Sequence, residues 1–164
     1  MTVMSSDRYV VYTGNSATTV FTYGFKIYRP EHAKISLLEI ATNTVTQLTD
    51  SEYSITGVGY TAIGGNVTYP LAGDPLASTH KIIIERIVPY VQEQAISNQA
   101  GYRPETVERS LDLLVMQTQQ LEEGYGERSL RIPSFEATIA ELPLQTIRAD
   151  KLLGFDSNGN PVAV

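Results

Sequence analysis

The sequence predicts a mainly β protein: an N-terminal β-sandwich or small barrel, then a long amphipathic α-helix, then a short C-terminal β-hairpin. Three observations lead there. Residues 1–90 carry short aromatic and β-branched runs, spaced by about ten residues and punctuated by Gly and Pro, the pattern of a sandwich or small barrel. Residues 104–132 repeat apolar side chains in steps of four and three, the period of a helix with one covered seam. Near the end, Asp156-Ser157-Asn158-Gly159-Asn160 separates two apolar runs, a hairpin turn signal.

Taken in order, VFTYGFKIY (Val20–Tyr28) has the composition a pleated sheet accepts. KISLLEI (Lys34–Ile40) reads as a strand, and Thr42-Asn43-Thr44 after it as a hairpin, because Asn tolerates left-handed backbone geometry. EYSITGVGYTAIGGNVTYP (Glu52–Pro70) holds two further strands, with Gly57, Gly59, Gly64 and Gly65 at turns or bulges. LAGDP (Leu71–Pro75) is a turn. KIIIERIV (Lys81–Val88) reads as a buried strand ended by Pro89. Residues 91–103 are polar and read as a connector.

Pro104 then suits a first helical turn, where its missing N–H has no partner to lose. Glu105 and Glu108 favour the same end through the helix dipole. The heptad seam places Leu111, Thr118, Tyr125 and Ile132 at one core position and Val107, Leu114, Leu121 and Arg128 at the other. Leu113, Val115 and Met116 widen the apolar face, so part of it can pack on the β domain. Gly124 and Gly126 each weaken a helix by about 1 kcal/mol relative to Ala, so a kink or an end is expected there. The following stretch, with Ile132-Pro133 and Leu142-Pro143, is expected to be extended as far as the hairpin.

The composition excludes several function classes. The chain has no cysteine, hence no disulfide, thiolate metal site or cysteine nucleophile. Net charge is −6 and the twelve Lys and Arg are scattered, whereas nucleic-acid binding needs a concentrated basic face. No run approaches the roughly 20 apolar residues of a membrane span, and no secretory signal opens the chain.

No catalytic, cofactor or metal site is expected. His32 and His80 stand far apart in turn-like surroundings and read as exposed loop residues. GVGYTAIGG fits neither the dinucleotide nor the phosphate-loop pattern. DSNGN lacks the spacing of a calcium loop. Glu39, Asp50, Glu52, Asp74 and Glu85 are scattered, with nothing to pair two of them as a glycosidase would require. The seam on the helix (Val107, Leu111, Leu114, Thr118, Leu121, Tyr125) is therefore the candidate site; Thr118 and Tyr125 suit a tight two-stranded pair poorly and are compatible with a looser three-stranded one, and the pattern leaves register and number open. A competing reading is a carbohydrate-binding sandwich that presents Tyr60 or Tyr69 to host surface glycans.

The order of these features resembles the N-terminal virion-attachment domain of podovirus, T7-like tail fibres and tailspikes. YTGNSATTVFTYGFKIYRPEH (Tyr12–His32), LTDSEYSITGVG (Leu48–Gly59) and GGNVTYP (Gly64–Pro70) are similar to its opening and middle. KIIIERIVPYVQEQ (Lys81–Gln94), followed by NQAGYRPETVERSLDLLVMQTQQLEE (Asn98–Glu123), is the most specific part. RADKLLGFDSNGNPV (Arg148–Val162) resembles the segment that often closes the region. The resemblance implies a structural protein of the virion tail: a β attachment domain over residues 1–90, a connector over 91–103, a trimerising helix over 104–132, and an extended segment and hairpin over 133–164. It implies a homotrimer that anchors a fibre or spike to tail adaptor or nozzle proteins and carries a shaft or a further subunit. If the tail ring has another symmetry, a flexible connector would let the three heads meet different surfaces.

Overall fold

The computed structural model describes residues 2–92, 103–127 and 140–164. The chain divides into two units, Met1–Tyr125 and Gly126–Val164. Among the described residues the first unit contains seven strands: β1 (Tyr9–Thr13), β2 (Val20–Tyr23), β3 (Ala33–Glu39), β4 (Thr44–Gln47), β5 (Ser54–Ile55), β6 (Gly65–Thr68) and β7 (His80–Arg86). They form one sheet in the order β1-β7-β3-β4 and another in the order β2-β6-β5, with every pairing antiparallel. Phe21, Tyr23 and Val67 of the smaller sheet share a single core with Ile35, Ile82 and Ile84 of the larger one. Neither sheet closes on itself among the described residues, so the sandwich form of the expected fold fits.

Strand β7 organises the larger sheet. Its alternation turns Ile82, Ile84 and Arg86 inward and leaves the residues between them half-buried. Ile84 lies opposite Val10 of β1 on one side and Ile35 of β3 on the other. β1 is absent from the sequence reading, although Tyr-Val-Val-Tyr-Thr has strong strand composition. Conversely, Val20–Tyr28 has sheet composition throughout, yet β2 ends at Tyr23 because its partner β6 begins opposite it, at Gly65. Phe25 and Ile27 still reach the core from the irregular chain beyond.

The turns follow the expected chemistry. Asn43 takes φ 58° in the β3–β4 hairpin. At Gly57, φ is +75°, and a side chain at Gly65 would collide with the Thr56 carbonyl, so glycine lets these backbones cross closely. His32 corrects an expectation: it is buried in a 3₁₀ turn (Pro30–His32) rather than exposed. Its carbonyl accepts the Ile87 N–H, which ties the turn to the end of β7.

Helix α1 (Pro104–Leu121) begins with Pro104 in its first turn and Glu105 beside it. It gives way to a wider helical turn over Glu122–Glu127, where Gly124 and Gly126 stand. The change of geometry falls where the glycines predicted one. Arg128 and Ile132 of the seam, and most of the 91–103 connector, lie outside the described residues.

The second unit, over residues 140–164, holds a helical turn α2 (Gln145–Arg148) and the hairpin β8 (Leu153–Phe155) and β9 (Pro161–Ala163). The Asp156 carboxylate accepts the N–H groups of Asn158 and Asn160 across the turn, and chiefly the Asn160 bond holds its pKa below the ordinary value. Gly159 supplies a positive φ of 78°. The stretch before the hairpin was expected to be extended. Instead Ile147 and Arg148 donate their N–H groups to the Leu144 carbonyl and close α2.

Replacing Ile84, which has no exposed surface, by Ala should destabilise the first unit by about 2–5 kcal/mol. Denaturant unfolding at fixed protein concentration checks this.

Candidate functional site

The site is helix α1, whose two faces have opposite fates. At 3.6 residues per turn, Asp112, Leu113, Met116, Gln119, Gln120 and Glu123 centre on one side. Val107, Leu111, Leu114, Thr118, Leu121 and Tyr125 centre about 180° away. The first set faces the sandwich.

Docking is partly apolar. Leu113 and Met116 form a second small core with Val88, against which Val3 and Tyr28 pack. The rest is polar and specific. Asp112 is buried; its Oδ2 accepts from Lys26 Nζ at 2.9 Å and from the Tyr28 hydroxyl at 2.6 Å. Its Oδ1 accepts the Val3 N–H at 3.1 Å. Lys26 Nζ also sits over the rings of Tyr28 and Tyr60, 4.9 and 5.0 Å from their centroids. Burial, then the hydrogen bond to Asp112, pushes the Tyr28 hydroxyl well above the ordinary tyrosine range, so it stays a donor.

Further along, Gln120 reads the backbone of Val88 twice, accepting its N–H and donating to its carbonyl. Gln119 accepts from Arg86 and donates to the Ser5 carbonyl. Burial, and then the nearby Arg8 charge, hold Arg86 down to about 10. Arg8 joins Glu85 of β7 to Glu123 of the helix extension. Burial opposes the charge on Arg8, but the two carboxylates outweigh it, so its pKa is raised. At the start of the helix the Tyr60 hydroxyl bonds Glu108, which raises its pKa to about 12. The Tyr60 ring is stacked with Tyr28 and lies beneath Arg109.

The opposite face has no such cover. Val107 is half-buried, while Leu111, Leu114, Thr118, Leu121 and Tyr125 are exposed, the four large apolar ones by between 47% and 70%. The structure thus sets the six predicted seam residues on one side of the helix, and Leu113 and Met116 on the other. Val115 remains exposed. Sequence reasoning missed Asp112, Gln119, Gln120 and Glu123 as contact residues. A periodicity of 3.6 links them to Leu113 and Met116, but their polarity hides them from a hydropathy count.

Tyr60 and Tyr69, the alternative sugar platforms, are both half-buried: Tyr60 is engaged as above, and Tyr69 packs against the main core. No group of three or more metal-binding side chains occurs among the described residues.

No protein-family model matches the chain. Over 137 residues, 84% of its length, it is 33% identical to the tail spike protein of Salmonella phage epsilon15. The chain belongs with the phage tail spikes. It spans 12% of that relative's length, the share of one domain in a much longer protein. The kinship gives this tail spike chain a structural role in the tail of a virion.

Asp112→Ala should cost about 3–5 kcal/mol, because it removes the buried carboxylate that pairs with Lys26 and accepts the Tyr28 hydroxyl. Leu111→Ala, on the exposed face, should change the stability of a lone chain by less than about 0.5 kcal/mol. Hydrogen exchange along α1 should accelerate in the first variant only.

Proposed function

We propose that this chain is the attachment domain of a trimeric tail fibre or tailspike. Its sandwich docks on adaptor or nozzle proteins of the tail, and α1 joins three copies through Val107, Leu111, Leu114, Thr118, Leu121 and Tyr125. It serves host attachment indirectly, by holding a shaft, or a further fibre or spike subunit, and its role is mechanical rather than catalytic. The observation that carries the reading is the uncovered apolar row on a helix whose other face is already fully engaged.

Several physical points support it. A buried Leu contributes about 1.5–3 kcal/mol, so three copies of this row gain enough to associate once they meet. Thr118 already donates its hydroxyl to the Leu114 carbonyl at 2.9 Å, so it can enter a seam with no polar group unsatisfied. Each sandwich clamps its own helix within one compact unit. Head and seam then move together, and a pull on the fibre reaches the head through the buried Asp112 network. Three linked heads bind the tail with an effective concentration that no single head achieves.

The expected behaviour is specific. The chain should sediment as a trimer, and Leu114→Asp with Leu121→Asp should give monomers. Because both positions are exposed and the docking face is untouched, those monomers should keep their helical circular dichroism. An unchanged mass after the double substitution refutes the seam.

A further inference from the structure

Residues 2–8, ahead of β1, form neither helix nor strand, yet they meet α1 and its extension at three levels. The Val3 N–H donates to the Asp112 carboxylate at 3.1 Å, and the Ser5 carbonyl accepts from the Gln119 amide at 3.1 Å. Arg8 pairs with Glu123, just past the helix. Order along the segment follows order along the helix. From Asp112 to Glu123 a helical chain rises about 16 Å, and an extended chain from Val3 to Arg8 reaches about 17 Å. The segment therefore runs beside the second half of α1. Exposure alternates along it: Val3 and Ser5 are half-buried, whereas Thr2, Met4 and Ser6 are exposed, Met4 by 85%. It is a single layer with solvent on its outer side.

Sandwich and helix depend on this layer to different degrees. Among the described residues, neither the opening segment nor α1 contributes a side chain to the main core. The small core beneath α1 has Val88, Leu113 and Met116 as its buried members, and Val3 packs against it. The rest of the hold on the helix is polar. A region held by few apolar contacts opens more readily than the core of its domain. One end of the segment is fixed. Arg8 also bonds Glu85, its carbonyl accepts the Arg86 N–H, and the chain continues into β1, paired with β7.

We infer that residues 3–8 are a strap, hinged at Arg8, that decides whether α1 stays on the sandwich. With the strap in place, head and helix move as one body. With Val3 and Ser5 lifted, Asp112 and Gln119 each lose a partner and the small core opens. The helix then leaves as a unit while both sheets remain folded, a local opening rather than global unfolding. The inference concerns the docking face alone, so it holds whatever covers the leucine row on the other side of α1.

Met116 reports on the docking face, because it has no exposed surface, and exposed Met4 is a reference in the same chain. In the full chain, Val3→Asp sets a carboxylate against Asp112 and removes the apolar contact. Hydrogen peroxide should then oxidise Met116 at least about tenfold faster, with Met4 unchanged. Amide exchange in β3 and β7 should stay as it was. Val3→Ala, a gentler change, should speed Met116 by about threefold. Unchanged Met116 oxidation in both variants refutes the strap. So does exchange in β3 and β7 that accelerates as much as Met116 in both, because helix and sheets then open together. Leu114→Asp with Leu121→Asp should leave Met116 protected. Free oxidation there means that sister chains hold α1 in place, so the strap falls and the seam stands. If the unsubstituted chain sediments as a monomer while Val3→Asp still exposes Met116, the seam falls and the strap stands.

Discussion

One buried carboxylate organises the first unit. Asp112 sits in the middle of an amphipathic helix, on the side where hydropathy alone would place a leucine. A charge taken from water costs several kcal/mol unless it is paired and hydrogen-bonded. Here Lys26, the Tyr28 hydroxyl and the Val3 N–H satisfy both of its oxygens. Only one rotation and one register of α1 put Asp112 at that spot. The same placement brings Gln120 to the backbone of Val88 and Glu123 to Arg8. Apolar contacts at Leu113 and Met116 would tolerate a slip of the helix; this set of hydrogen bonds does not.

That choice of rotation has a functional consequence. Once the polar face is fixed to the sandwich, the leucine row must point away from it. The helix is then two-sided, docked on its own sandwich by one face and carrying an exposed apolar row on the other, the row we propose as the surface for sister chains. On the proposed reading, this joins the head to the seam without a loose link between them. Head and helix are tied directly: Lys26, Tyr28, Arg86 and Val88 bond α1 itself, and Arg8 bonds Glu123 just beyond it.

How much of this was legible follows from which signals are local. The β3–β4 hairpin, the hairpin at Asp156–Asn160 and the loosening of the helix at Gly124 rest on residues whose own backbone preferences decide the outcome. The leucine row was legible because its period is regular over many turns. β1 has strand composition of its own, but its place in the sheet is set by pairing with β7, about seventy residues away. His32 was misread for a related reason. A histidine beside Pro and Glu looks like loop surface, and only the fold brings the end of β7 over it.

The sequence by itself therefore determined most of the elements and their order, β1 and α2 aside: short strands by composition, turns by Gly and Asn, and a helix by the period of its apolar row. It also determined that one face of that helix would carry an apolar row, since periodicity is a property of consecutive residues. Which face would dock and which would stay open was decided only in three dimensions. Asp112, Gln119, Gln120 and Glu123 find partners from the opening segment, from the chain after β2 and from β7. Burial of a polar group depends on those distant partners, and no local pattern of residues encodes them.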